Sequence, residues 1–492
     1  MGTVPNYFRR EMLMVRNAKV SIMIILLMSW ISFVCLAVKL PTEKTEKETD
    51  PQVVKHLEWF QDVKFGLMMH WGPYSQWGVV ESWSICSEDE PWCRRSMDDY
   101  IEYKKKYEAL KLTFNPVTFN PEKWAKAAEY AGMKYVVFST KHHDGFCLFD
   151  TQQTDYRITD PGCPFHTHPR ADVTREIFEA FREREFGIGA YFSKPDWHSE
   201  FYWWPYFATP DRNVNYDTKK YPERWQRFCG FTFDQIEELM TGYGKIDILW
   251  FDGGWVRPKY TIDDTVKSWC RSPYEQDINM PRIASMARRH QPGLIIVDRT
   301  VTGRYENYRT PEQHVPPEPL DYPWETCMTM ATSWSYRPND SYKSALQLVH
   351  LLVDIVAKGG NFLLNIGPDA SGEWAPEAYD RLEKIGDWMR VNGEAVYETR
   401  PVPPYKETRV CFTSKKDGTV YAVYLAAPDE MKPPSKIMLY SHCPSKKGKI
   451  SMLGVKEPVK WEPVGKGVLI HVPEAAQETL PCEYAWVFKI NP

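Results

Sequence analysis

Between about residue 60 and residue 400 the chain alternates short apolar runs with longer amphipathic stretches. The apolar runs are Phe65–Trp71, Tyr135–Lys141, Gly187–Ser193, Ile246–Asp252, Gly293–Val297, Thr326–Trp334 and Asn361–Asn365. Continuous hydrophobicity over so few residues predicts strands covered on both faces, as in a parallel sheet. Pro121–Gly132, Asp172–Phe186, Glu223–Tyr243, Met280–His290, Ser344–Lys358 and Pro376–Asn392 carry helical spacing. The first of these opens on proline and closes on glycine, the usual asymmetry of helix ends. Each strand runs out into polar or charged residues. Repeated βα units of this kind predict an irregular (β/α)8-like TIM barrel over residues 55–400, with no eighth strand evident. After Pro401-Val-Pro-Pro404 the pattern changes to short β-rich runs at 409–415, 419–426, 436–441, 459–464, 467–472 and 484–490, with Asp417-Gly418 as a hairpin signal. Residues 401–492 are therefore expected to form a small antiparallel β-sandwich.

The N-terminus follows different rules. Val20 to Val38 is a run of 19 residues without a charge, preceded by Arg9, Arg10, Arg16 and Lys19. As a helix it would be roughly 28 Å long, close to the hydrocarbon core of a bilayer. Residues 20–38 are expected to be a signal peptide or a membrane anchor, with both readings open. The basic flank keeps residues 1–19 cytoplasmic and sends the rest across the membrane. The expected location is extracytoplasmic: secreted, periplasmic, or anchored and facing outward. Residues 39–54 are polar and charged and read as a flexible stalk.

The formal net charge of −4 over 492 residues argues against a nucleic-acid or anionic-membrane partner. The 20 Trp and 28 Tyr residues are the compositional anomaly. Aromatic faces stack on sugar rings, and they also fill cores. Ten of the 11 cysteines follow Cys35. Cys86 and Cys93, flanking an acidic loop, are the pair expected to form a disulfide, and no cysteines have zinc-finger spacing.

The chemistry concentrates at strand ends. Asp252 closes a short apolar run and is followed by Gly253-Gly254, which permit a tight exit and a close approach of ligand to backbone. Such a carboxylate at a barrel mouth is placed for catalysis; it could equally cap a helix or open a turn. His142 and His143 are adjacent, so an extended backbone would turn them to opposite faces and deny them a shared metal ion. They are expected to bond hydroxyl groups, while His166 and His168 lie in a proline-rich loop. The chain has no G-x-S-x-G elbow and no phosphate-cradling glycine loop between strand and helix. Carboxylates and aromatics at strand ends suit glycosidic cleavage, which needs no metal or cofactor.

Five segments occur in order: His70-Trp-Gly, Lys141-His-His-Asp-Gly-Phe146, Trp250-Phe-Asp-Gly-Gly254, Pro317-x-x-Leu320 with Trp324-Glu-Thr-Cys327, and Asn361-Phe-Leu-Leu-Asn-Ile-Gly-Pro368. Together they resemble the α-L-fucosidases of glycoside hydrolase family 29, over about residues 55 to 400. The resemblance implies retaining hydrolysis of terminal α-L-fucosyl residues from glycans. It implies Asp252 as nucleophile, and His70, His142, His143 and Trp197 as pocket lining, with Tyr191 and Arg299 as further subsite residues. Glu81, ahead of Ser82-Trp83, resembles a substrate-contacting glutamate, and Trp83 goes with it. Thr310-Pro-Glu-Gln313 resembles the segment carrying the acid/base in one branch of the family, which favours Glu312 over Glu306 and Glu318. Glu325, in the W-E-x-C motif, is expected to shape the pocket. Pro323 stands where family members can have Lys. Two other activities fit the same motifs: a fucose-binding protein without catalysis, and the same hydrolysis on a related sugar such as an α-L-galactoside.

Overall fold

A computed structural model describes residues 47–86, 93, 95–209, 211–446 and 448–491. The run at 20–38 and the first part of the proposed stalk lie outside the described residues. Among the described residues no helix is long and apolar enough to cross a membrane.

Seven parallel strands form the central sheet: β1 (Phe65–Met69), β2 (Tyr135–Lys141), β3 (Gly187–Ser193), β4 (Ile248–Asp252), β5 (Ile295–Asp298), β6 (Glu325–Thr329) and β7 (Asn361–Asn365). Their order is β5-β4-β3-β2-β1-β7-β6, so β5 and β6 are the two edges. Nearly every residue of these strands is buried, as their unbroken hydrophobicity requires. β6 ends at Thr329, earlier than the apolar run suggested, and residues 334 and 335 turn over the cavity, where Trp334 lines it and the Ser335 N–H meets Glu81.

The gap between β5 and β6 is closed by a segment that is not a regular strand. Asn307 N–H donates to Ile296 O at 3.0 Å and Asp298 N–H to Tyr305 O at 2.8 Å on one side. On the other, Glu325 N–H donates to Arg309 O at 2.8 Å and Gln313 N–H to Cys327 O at 2.9 Å. Residues 305–313 thus occupy the eighth position of the barrel. Pro311 lacks a backbone donor, and the segment leans from one edge to the other, so no alternating pattern advertises it in the sequence.

The barrel also starts earlier than expected. Residues 48–54, assigned from their polarity to a stalk, belong to it. Glu48 is buried, and the helix Pro51–Val63 begins with Asp50 accepting the Gln52 N–H. Val53, Leu57 and Phe60 from this helix pack with the inward-facing Met68, Tyr135, Val137, Ile248, Trp250, Ile295 and Leu363. Asn361 Nδ2 donates to Phe60 O at 2.6 Å, and His56 lies 3.3 Å from Asp247, just ahead of β4. The helix therefore plugs the N-terminal end of the barrel, opposite the strand ends that carry the polar groups.

The C-terminal region is a pair of antiparallel sheets, one of five strands and one of three, around their own apolar cluster. Two of these strands carry no clear signal: Ile450–Met452 is very short, and Arg400–Glu407 contains three prolines that only an edge strand tolerates. Cys86 and Cys93 are both buried, on either side of residues 87–92, which lie outside the described residues.

Candidate active site

The C-terminal ends of the strands surround a cavity of about 240 Å³. That is below the ~300 Å³ at which pockets for drug-sized molecules begin, and suits one sugar ring with an open side. His70, Glu81, Trp83, His142, His143, Asp252, Arg299 and Glu312, all named from the sequence, line it.

Asp252 is the last residue of β4, and the turn after it is built for glycine. Gly253 has φ +83°, and a Cβ there would come within 2.2 Å of Pro195. Its N–H donates to Asp252 Oδ1 at 2.7 Å. Arg299 Nη1 donates to the same oxygen at 3.0 Å, and the Tyr191 hydroxyl donates to Oδ2 at 2.7 Å. Burial alone would raise the carboxyl pKa. Arg299, His143, the Tyr191 hydroxyl and the Gly253 amide outweigh it and hold Asp252 well below the usual carboxylate range. The arrangement favours the ionised form of Asp252.

The second carboxylate reaches the cavity on the closing segment. Glu312 Oε2 accepts from Arg299 Nη2 at 2.7 Å, and its side chain is 45% exposed, against 18% for Asp252. One guanidinium thus touches both carboxylates. Of the other two glutamates weighed from the sequence, Glu306 is buried, ion-paired with Arg309 and accepts the Thr300 N–H, and Glu318 is exposed. Neither lines the cavity.

The histidines are fixed by polar neighbours and kept neutral by burial, which pushes His70 down to about 4 and His143 to about 3, and holds His142 well below its ordinary value. Asn365 Nδ2 donates to Trp334 O, so its Oδ1 accepts from His70 Nδ1 at 2.8 Å, leaving His70 Nε2 as an acceptor. Ser82 Oγ accepts the Asp144 N–H and shares a hydrogen bond with His142 Nδ1 at 2.5 Å, which leaves His142 Nε2 free to face the cavity. Neutral rings whose Nε2 atoms face the cavity suit sugar hydroxyls, which both donate and accept.

His142 and His143 do not face apart, as an extended backbone would have turned them. β2 ends at Lys141, and the turn closed by Gly145 N–H to His142 O brings both rings to the same side, their centroids 4.2 Å apart. With Asp252 they place potential ligand atoms within 4.8 Å of one another. A cation there would compete with Arg299 for Asp252, which makes the group a poor metal site.

Three residues expected at the pocket stand behind it instead. Tyr191 is fully buried under Asp252. Trp197 is fully buried, stacked on Trp203 and edge-on to Trp83, so it supports the wall that Trp83 forms. Glu325 is buried beneath Trp250, accepting from Tyr135, Trp250 and Tyr308. Burial pushes Glu325 up to about 7, and does the same to Glu81, whose Oε1 accepts the Ser335 N–H at 2.7 Å.

The family model for alpha-L-fucosidase matches residues 34–394, and the model for the alpha-L-fucosidase C-terminal domain matches 405–491. The chain belongs to the α-L-fucosidase family. It is 29% identical over 449 residues to the tissue alpha-L-fucosidase of Mus musculus, covering 88% of this chain and 91% of that one. To the plasma alpha-L-fucosidase of Homo sapiens it is 28% identical over 459 residues, covering 88% and 89%. Among solved structures, alpha-L-fucosidase isoenzyme 1 from Paenibacillus thiaminolyticus shares 30% identity with a TM-score of 0.71, over 89% of this chain and 99% of that one. The Thermotoga maritima alpha-fucosidase with a mechanism-based inhibitor shares 26% with a TM-score of 0.68, over 91% and 100%.

Sequence reasoning missed several residues of this fucosidase-family cavity: Arg212, Trp250, Trp255, Trp269, Thr300 and Trp334 also line it. Trp250 was placed in a strand without an assigned facing. Trp255 follows the Gly-Gly turn directly. Arg212 comes from a loop without periodicity; its guanidinium lies 4.8 Å from the Trp83 ring and 5.3 Å from that of Trp255. Only the folded chain brings it there.

Proposed function

We propose that this protein is a retaining α-L-fucosidase that releases terminal α-L-fucosyl residues from glycans. The observation that carries the reading is the pair Asp252 and Glu312, held by one arginine at the edge of a cavity the size of a single sugar. Asp252, ionised and fixed by three donors, attacks the anomeric carbon. Glu312 in its acid form gives its proton to the leaving glycosidic oxygen as that bond breaks. The resulting β-linked fucosyl ester on Asp252 is then cleaved by water, whose proton returns to Glu312, and fucose leaves with its α configuration. Two carboxylates that one guanidinium can reach together favour the short separation of about 5–5.5 Å used for double displacement. Glu312 must exchange Arg299 for the glycosidic oxygen when substrate binds, a rearrangement its exposure permits.

Hydrolysis of 4-nitrophenyl α-L-fucoside, followed by NMR, tests the reading in one experiment. Nitrophenol release with α-fucose as the first sugar product supports it. Release of β-fucose first would mean inversion. Binding of fucose without release would leave a fucose-binding protein, and release only from the α-L-galactoside would move the substrate.

We propose further that the chain acts outside the cytoplasm. The uncharged run at 20–38 and its basic flank support this, and Glu48, the first of the described residues to be buried in the barrel, lies ten positions beyond that run. Protein beginning at Lys39 should be soluble and fully active. Inactive protein, or protein that still pellets with membranes, would contradict this division of the chain.

A further inference from the structure

Glu48 is an unexpected residue to find buried. It stands at the start of the described chain, far from the strand ends, yet both its carboxylate oxygens are occupied. Oε1 accepts the N–H groups of Thr49 and Asp50, at 2.9 and 3.0 Å. Oε2 accepts from Arg288 Nη2 at 2.9 Å and from Asn307 Nδ2 at 3.2 Å. The same Arg288 nitrogen also donates to Asn307 Oδ1 at 3.0 Å, and that oxygen takes the Ile296 N–H from β5 at 2.9 Å. The three side chains close a ring of charge-assisted hydrogen bonds, buried at Glu48 and Asn307 and partly exposed at Arg288.

Asn307 belongs to the segment that fills the eighth barrel position. That segment has no regular ladder of its own, so its place depends on side chains to an unusual degree. Next along it, Tyr308 stacks on Phe60 of the plugging helix, with centroids 4.1 Å apart. Thr310 then accepts from Arg299 Nε at 3.2 Å, and Glu312 follows at the cavity. Only four residues, 308–311, separate Asn307 of the ring from Glu312.

We infer that Glu48 is a positioning residue for Glu312: it clamps Asn307, and through it sets the height and angle at which the closing segment presents its carboxylate over Asp252. The inference rests on Glu312 being the acid/base. The segment just downstream of the proposed leader is then part of the catalytic apparatus, and processing of the chain past residue 47 would impair it.

The test uses Glu48→Ala and Glu48→Gln in the full chain, with Glu312→Ala alongside. Each is assayed on 4-methoxyphenyl α-L-fucoside, whose leaving group needs protonation, and on 2-chloro-4-nitrophenyl α-L-fucoside, whose leaving group does not. Misplacing an acid costs rate where protonation is needed, so Glu48→Ala should lose about tenfold or more in kcat/KM on the first substrate and within about twofold on the second. Glu48→Gln, which keeps the Asn307 contact and loses the ion pair, should fall between it and the parent. Inhibition by fucose should be unchanged, and hydrogen exchange in residues 305–313 should be faster in both variants. Equal losses on the two substrates, or no loss on either, would overturn the positioning role. If Glu312→Ala itself showed no dependence on leaving group, the acid/base reading would fail separately. Exchange at 305–313 would then still decide whether Glu48 holds the segment, and unchanged protection would sink that too.

Discussion

Arg299 Nη1 lies 3.0 Å from Asp252 Oδ1, on the carboxylate oxygen that Tyr191 leaves untouched. The guanidinium is the largest influence keeping Asp252 ionised against its burial. Replacing it with an uncharged side chain leaves burial to act with less opposition, and the carboxyl pKa must rise. Arg299→Met should therefore bring an acidic limb into the kcat/KM profile that the parent lacks at moderate pH, with activity recovering as pH rises. A profile with the same acidic limb as the parent would show that Arg299 does not set the charge of Asp252.

The donors around Asp252 come from β3, from the turn just after β5 and from its own turn, so removing the carboxylate should leave the walls standing. Asp252→Gly should lose about 10⁴-fold or more in turnover while still binding fucose. Azide can occupy the vacated space, and should restore part of the activity with β-fucosyl azide as product. Near-parental turnover without azide would remove Asp252 from the nucleophile role.

What could be read from the sequence follows from how local each signal is. The strands from Tyr135 to Lys141 and from Gly187 to Ser193 stand where their unbroken apolar runs place them, because a strand buried on both faces leaves no other pattern. Asp252, His70 and the His142-His143 pair were visible because they end such runs. The helix Pro51–Val63 was hidden by charged neighbours, and its inward face of Val53, Leu57 and Phe60 shows as a stripe only once a barrel end is there to receive it. The closing segment 305–313 was invisible for the opposite reason: its hydrogen bonds go to two different strands, which imposes no period on its residues. Trp197 and Glu325 were named with the pocket because motif residues and their supports travel together in sequence. Only the packing separates a ring in the wall from the ring behind it.

Glu325 gives a prediction about stability. Burial raises its carboxyl from the ordinary value to about 7 in the folded chain. Between pH about 4.5 and 7 the unfolded chain has released this proton and the folded chain has not, so the unfolded state binds fewer protons and stability falls as pH rises. A shift of this size corresponds to about 3 kcal/mol, absent at pH 4 and fully developed by pH 8. Glu81 and Glu306 act in the same direction, while the depressed histidines act in the opposite one below about 6.5. Comparing Glu325→Gln with the parent isolates one group. The variant should match the parent in denaturant midpoint near pH 5 and exceed it at pH 8. An advantage that is the same at both values would show that Glu325 does not titrate in this window.

Glu312 is the residue on which the mechanism turns, and leaving groups separate its two tasks. With a poor leaving group, fucosylation of Asp252 needs a proton from Glu312, so Glu312→Ala should lose about 10²- to 10⁴-fold on 4-methoxyphenyl α-L-fucoside. With 2-chloro-4-nitrophenyl α-L-fucoside the first step needs no acid, and the ester on Asp252 should form at close to the parental rate. Its breakdown then lacks a base to activate water, so the ester should accumulate and be visible by intact-protein mass spectrometry. Azide needs no base, and should discharge the ester from the face opposite Asp252, giving α-fucosyl azide. This is the anomer opposite to the one expected from Asp252→Gly, so the two products assign the two carboxylates independently. The buried ion pair of Glu306 with Arg309 and the exposure of Glu318 make neither a donor to this cavity. If Glu306→Ala or Glu318→Ala gave α-fucosyl azide while Glu312→Ala behaved like the parent, the acid/base role would pass to that residue.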